Sequence, residues 1–153
     1  MLKEIKLSPI GYVDTKSVGK EIRNRCNISR IVLDQGLTEG LEGIEDFSHL
    51  LVLFWMHMVP KEERRTLKTR PRGRADVPLL GMFATRTPYR PNPIGLTLVE
   101  ILEVKDNIIT VRGLDAVDGT PLLDIKPFDY WDTVDEVKVP DWWIRLEGKQ
   151  HNI

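Results

Sequence analysis

Cysteine is almost missing from this chain of 153 residues: Cys26 stands alone. No intramolecular disulfide can form, and a cysteine-rich zinc site has no ligands to draw on. His49 and His57 have no cysteine or carboxylate at ligand spacing beside them, so no metal is expected. Long apolar runs are missing too. The longest, Leu50–Met58, is interrupted by His57 and is too short to span a bilayer. Met1-Leu2-Lys3-Glu4 leads into charges rather than the apolar core of a signal peptide, which points to a cytoplasmic chain away from membranes. There is no G-x-G-x-x-G after a strand, no Walker A and no G-x-S-x-G, so a Rossmann cofactor site, a P-loop and a serine-hydrolase elbow have no support. Net charge is scarce as well, at −1, and steering of a polyanion by the whole molecule is weak.

What is present suits one globular domain: 41% hydrophobic and 29% charged residues are enough for a single sizeable core. The charge is unevenly spread. Between Pro60 and Arg74, seven cations (Lys61, Arg64, Arg65, Lys68, Arg70, Arg72, Arg74) face only Glu62 and Glu63. Downstream, Asp115, Asp118, Asp124, Asp129, Asp132, Asp135 and Glu136 are set against Lys126. The basic stretch is either a solvated loop or an arm for phosphates.

Most segments read as strands. Lys3–Val13 resembles an edge strand bent at Pro9 and Gly11, and Arg30–Leu33 is a short β-branched run before the turn signal Asp34-Gln35-Gly36. Leu37, Leu41, Ile44 and Phe47 recur at helical spacing, weakened by Gly40 and Gly43. His49–Met58 predicts a strand covered on both faces, with His49 and His57 on one side. Leu79–Thr85 is a further strand candidate. In Ile94–Val104 the three-residue spacing of Thr97, Glu100 and Glu103 also suits a helix, but Asp106-Asn107 is a two-residue turn signal before the β-rich Ile108–Val111, so a strand is preferred. Leu122–Ile125 and Trp142–Leu146 complete the set. Many short strands and few short helices predict a mainly β fold, a closed or nearly closed antiparallel barrel.

Two segments carry the unusual chemistry. In Gly81–Gly95, Pro88, Pro91 and Pro93 fall within six residues and forbid both a helix and a central strand. Such a loop has little entropy left to lose, and it either presets Arg86, Arg90 and Asn92 for a carboxylate or phosphate or forms a stiff structural corner. In Gly113–Pro127, Asp118-Gly119 is a turn signal in which Gly119 adopts φ > 0 readily. Asp115, Asp118, Asp124 and Lys126 form either a polar cluster at one rim of the sheet or an Asp-capped hairpin.

These segments are where a resemblance lies. Phe83-Ala84-Thr85-Arg86 with Arg90-Pro91-Asn92-Pro93-Ile94-Gly95, then Leu114-Asp115, Asp118-Gly119-Thr120-Pro121 and Asp124-Ile125-Lys126-Pro127, are similar to the TsaA-like family, also called YaeB-like, VirR and TrmO-like. Phe47-Ser48-His49-Leu50 followed by His57 fits the same pattern, and the likeness runs from about Ile10 to Phe128. Glu21–Ile28 stands where the family carries a Pro-Arg-Gln-Pro-Gly-like segment.

The resemblance implies an S-adenosyl-L-methionine-dependent methyltransferase that methylates N6 of threonylcarbamoyladenosine at position 37 of tRNA. It implies a single-sheet antiparallel β-barrel, a homodimer with the cofactor near the dimer interface, and one domain over residues 1–153 without the C-terminal extension of some members. His57, Met58, Arg86 and Leu96 would line the cofactor, and Leu114, Asp115, Ala116 and Asp118 would meet its ribose, adenine edge or ammonium. Asp115 or Asp118 would accept the N6 proton, unless water takes it. For the anticodon loop, Tyr89 beside Arg90 and Asn92 would meet a base, Lys68, Arg70 and Arg72 would follow the phosphates, and Lys126 would orient a carboxylate. The alternatives are a non-catalytic RNA-binding barrel, or a methyltransferase acting on a small molecule or another RNA.

Overall fold

Strand β3, His49–Trp55, shows how the local pattern builds the sheet. Leu50, Val52 and Phe54 are buried on one face, and His49, Leu51, Leu53 and Trp55 are half-buried on the other. The same alternation buries Val13 in β1 (Gly11–Asp14), Ile31 and Leu33 in β2 (Ile28–Leu33), and Ile109 and Val111 in a later strand, so one apolar core fills the interior.

The computed structural model describes residues 3–147. Of these, 3–59 and 93–128 form one compact unit, and 60–92 and 129–147 form another. The first unit is a closed barrel. Besides β1, β2 and β3 it contains β6 (Ile94–Lys105), β7 (Ile108–Arg112) and β8 (Pro121–Pro127), in the order β1-β2-β7-β6-β3-β8, with every neighbouring pair antiparallel. Closure removes the open edges that six short strands would otherwise expose. The second unit holds β4 (Lys68–Thr69) paired with β5 (Leu80–Gly81), several single-turn 3-10 segments and helix α1 (Asp141–Glu147). No helix among the described residues is long and apolar enough to cross a membrane.

The ambiguous polar spacing in β6 has a geometric origin. Glu100 pairs with Arg112 and Ile101 with Val111, after which the register slips and Glu103 pairs with Thr110. The extra residue, Leu102, restores an outward direction three positions after Glu100, imitating a helical period within a strand. Arg112 donates to Glu100 across the ladder at 2.8 Å. Asp106, at φ 53, and Asn107 make the tight turn into β7.

Several expectations are corrected. Lys3–Val13 forms a strand only from Gly11 onward, where the residue pairing with β2 and β8 begins. Leu37–Phe47 gives two 3-10 segments, Gln35–Leu41 and Ile44–Asp46, rather than an α-helix, with Gly43 at φ 87 between them. β3 stops at Trp55, so His57 leaves the ladder and does not share a strand face with His49. Leu79–Thr85 keeps only Leu80–Gly81 extended before a 3-10 turn, Met82–Ala84. Trp142–Leu146 belongs to α1, where the amides of Trp143 and Ile144 donate to Pro140 O. Pro140-Asp141 opens that helix, and its backbone bonding overrides the β preference of the tryptophans.

Candidate functional site

The connection from β7 to β8 is the most built-up loop of the barrel unit. β7 pairs with β2 and β6, while β8 pairs with β1 and β3, so residues 113–120 are a crossover, and of the two readings the Asp-capped hairpin is excluded. The loop is laced to the end of β1: Gly119 N donates to Val13 O at 2.8 Å, and Val13 N donates to Thr120 O at 2.9 Å. Gly119 turns at φ 73, the left-handed conformation its neighbours in the turn need. Leu114 and Ala116 bury their side chains in the core, which leaves the intervening Asp115 exposed. The aspartates differ. Asp118 Oδ1 accepts from Thr15 N at 3.0 Å, a bond that fastens the loop. Although Asp115 is exposed as a residue, partial desolvation of its carboxyl by the surrounding chain raises its proton affinity, and the Arg23 guanidinium partly opposes that rise.

The Asp115 shift has a stability consequence. A carboxyl raised in the fold stabilises the folded state only below the ordinary carboxylate range, and that contribution is lost as pH climbs through the raised value. At neutral pH the ionised group is therefore a net cost, limited by its exposure to solvent. Asp115→Asn is expected to raise Tm by about 1–2 °C at pH 7, with the gain fading toward pH 3. Thermal scans across that range check it, and a lowered Tm at pH 7 contradicts it.

Elsewhere on the barrel unit, His57 and Met58 sit exposed in the turn after β3, whose Met56 N donates to Pro93 O at 2.8 Å. Leu96 lies on the outer face of β6, 48% exposed. Lys126 pairs with Asp124 of its own strand at 2.7 Å.

In the second unit the proline-rich loop is braced from within. Thr85 Oγ1 donates to Met82 O at 2.8 Å, Arg90 N donates to Pro88 O at 2.9 Å, and the Arg90 guanidinium reaches Met82 O at 3.3 Å and Thr85 O at 3.2 Å. Arg90 thus braces the loop through its Nη2. Arg86 and Asn92 are exposed, Tyr89 is 40% exposed, and within this unit no carboxylate among the described residues pairs with Arg86. The basic stretch divides in the same way. Arg70 donates to Val77 O at 2.6 Å, and Arg72 to Leu146 O at 2.7 Å and Glu147 Oε1 at 2.5 Å, while Lys68 stays exposed on β4. Sequence reasoning also missed Thr15, Asn27 and Ser29 beneath the 113–120 loop. Ser29 left a readable signal: it occupies an inward position in the alternation of β2, where an apolar residue is the rule.

A closed six-stranded barrel with an aspartate-bearing crossover and a braced proline-arginine loop belongs with the all-β, non-Rossmann proteins. Residues 18–136 match the profile of the tRNA-methyltransferase O N-terminal domain, and the chain belongs to that family. It is 41% identical over 139 residues to a probable S-adenosyl-L-methionine-binding protein of Methanothermobacter thermautotrophicus, covering 88% of this chain and 96% of that one. It is 47% identical over 96 residues to the tRNA (adenine(37)-N6)-methyltransferase of Escherichia coli, covering 59% of this chain and 40% of the other. A crystal structure of TrmO from Pseudomonas aeruginosa superposes with a TM-score of 0.74 at 30% identity over 93% of this chain. This chain spans 63% of that structure's length.

Proposed function

We propose that this protein is an S-adenosyl-L-methionine-dependent tRNA methyltransferase that methylates N6 of threonylcarbamoyladenosine at position 37, in the anticodon loop. The observation that supports this most directly is the match of residues 18–136 to the tRNA-methyltransferase O N-terminal domain, which takes in the fastened crossover that carries Asp115. The residues present suit the cofactor. Asp115 offers acceptors for ribose hydroxyls or the ammonium, exposed Met58 and Leu96 offer apolar contact, and His57 and the backbone of Leu114–Ala116 add polar groups. Arg86, a rigid fork with no carboxylate partner in its unit, suits the methionine carboxylate.

Bound S-adenosylmethionine supplies a sulfonium methyl for in-line transfer. The protein's task is alignment, which in ideal cases lowers a barrier by about 7–11 kcal/mol. The N6 nitrogen sheds a proton as it gains the methyl. Asp115 is the better acceptor of the two aspartates, because its basicity is raised while Asp118 already accepts from Thr15. The deciding experiment incubates threonylcarbamoylated and unmodified tRNA with labelled cofactor and analyses the nucleosides by mass spectrometry. Label in N6-methylated threonylcarbamoyladenosine supports the reading. Cofactor binding without tRNA labelling points to another substrate, and tRNA binding without cofactor binding to a non-catalytic barrel.

For the RNA, Tyr89 and Asn92 offer stacking and hydrogen bonding to a splayed base, and Lys68 a phosphate contact. Lys68→Ala is expected to reduce the salt slope of tRNA binding by about one unit. Arg70→Ala and Arg72→Ala, whose guanidinium groups are engaged inside their unit, are expected to leave that slope unchanged while lowering Tm. Filter-binding titrations over a salt series separate these outcomes.

The protein acts as a homodimer in the cytoplasm, where an exposed, unpaired Cys26 stays reduced. The outer face of the barrel supports dimerisation: Leu51 pairs across the ladder with Leu98 and Leu53 with Leu96, placing four leucines side by side, and Leu96 and Leu98 are nearly half exposed. Leu98→Asp is expected to weaken the dimer by at least about 2 kcal/mol, roughly 30-fold in Kd. Analytical ultracentrifugation reads the change, and an unaltered dimer removes this face from consideration.

A further inference from the structure

The buried polar side chains of this molecule are concentrated. Thr15, Asn27, Ser29 and Thr120, each at least nine-tenths buried, all lie at the barrel end where the β7–β8 crossover passes. Three of them have evident partners: Ser29 Oγ donates to Thr15 Oγ1 at 3.0 Å, and Thr120 Oγ1 donates to Val117 O at 2.7 Å. Asn27 differs. Its Nδ2 donates to Leu114 O at 3.0 Å and reaches Ile22 O at 3.5 Å, and its backbone oxygen accepts from Gly113 N at 2.8 Å. Both neighbours of Nδ2 are carbonyl oxygens, so flipping the amide would set oxygen against oxygen. The orientation is fixed, and it leaves Oδ1 as the one buried side-chain polar atom without a partner among the described residues.

A leucine or alanine here would remove the unpaired Oδ1 but would also take the donor from Leu114 O, so the amide is retained for what its Nδ2 holds and not for packing. The geometry says what. Ile22 immediately precedes Arg23, and Leu114 immediately precedes Asp115. One side-chain amide therefore ties the backbone that carries Asp115 to the backbone that carries Arg23, the cation felt at its carboxyl. We infer that Asn27 is a positioning residue of the methyl-donor site, holding the backbones of Ile22 and Leu114 so that Arg23 and Asp115 stay at a fixed separation. This rests on the reading that Asp115 serves S-adenosylmethionine.

The test compares Asn27→Ala with Val99→Ala, a core truncation on β6 chosen for a similar fall in Tm. Asn27→Ala is expected to weaken S-adenosylmethionine binding about tenfold by calorimetry and to speed amide exchange at residues 113–118 by at least tenfold, while tRNA affinity is retained. Val99→Ala is expected to change each by less than twofold. In an Asp115→Asn background, Asn27→Ala is expected to weaken cofactor binding no further, because it acts through Asp115. Equal losses in Asn27→Ala and Val99→Ala, or cofactor affinity within twofold of wild type in Asn27→Ala, overturn the inference. Should Asn27→Ala not fold, Asn27→Ser keeps a short polar side chain but withdraws the amide from Leu114 O, and the same losses are expected of it. If the wild-type chain binds no S-adenosylmethionine, the functional reading fails on its own, while the exchange rates still decide whether Asn27 holds the loop.

Discussion

Arg86→Ala is expected to weaken S-adenosylmethionine binding by roughly 30- to 150-fold, the largest loss of function from a single side chain. The proline-braced loop presents Arg86 exposed, while the neighbouring Arg90 is committed to Met82 O and Thr85 O. The stiff loop has little backbone freedom left to lose when its guanidinium meets a carboxylate, and the planar fork matches both oxygens. Losing such a charge-assisted bond costs about 2–3 kcal/mol, which converts to that factor. Arg86→Lys keeps the charge but not the two-pronged geometry and is expected to fall between wild type and alanine. Because the methionine carboxylate stays bound through the reaction, the loss should appear mainly in cofactor affinity and KM, with kcat at saturating cofactor changing less. Calorimetry with S-adenosylmethionine reads it directly, and an Arg86→Ala affinity within threefold of wild type removes this arginine from the carboxylate role.

Gly95→Ala is expected to damage the fold severely. Gly95 pairs with Phe54 across β3 and β6, and a Cβ at this glycine would lie 2.2 Å from the Phe54 ring. Phe54 is 4% exposed and belongs to the core cluster, so the ring has nowhere to swing without displacing its neighbours. Overpacking of this kind costs about 3 kcal/mol, a fall in Tm of roughly 6–12 °C for a chain of this size. Phe54→Leu removes the obstructing ring and should itself cost stability through the cavity it leaves. In combination the two should be less harmful than their sum by at least about 1 kcal/mol, the signature of a shared contact. Additive losses in thermal or denaturant unfolding would mean that the close approach is not what requires glycine here. The last glycine of the Pro-Asn-Pro-Ile-Gly motif is thus explained by packing, independently of any ligand.

How far the site was legible follows the same division. The stiffness of 85–93 came from prolines whose effect on φ is local, and the structure keeps that stretch free of helix and strand. Gly119 at φ 73 and the two-residue turn at Asp106-Asn107 were equally local and equally legible. Which cations remain available was not. Arg72 is engaged by a carbonyl and a carboxylate at Leu146 and Glu147, more than seventy residues away in the chain, and no spacing rule near Arg72 signals that. Asn27 was invisible for the same reason, since its partner Leu114 is 87 residues distant.

From the sequence alone came the strand-rich character, the absence of a Rossmann apparatus and the two motif blocks, because alternation, proline restriction and turn chemistry act between residues a few positions apart. Only tertiary structure decided that residues 113–120 cross the barrel instead of forming a hairpin, that Asp118 is a fastener while Asp115 is left exposed, and that Glu100 and Glu103 share a face through a bulge. Those outcomes depend on which strands pair and on what each carbonyl and carboxylate meets after closure. Such partners are brought together by the fold, across separations at which local sequence carries no record of them.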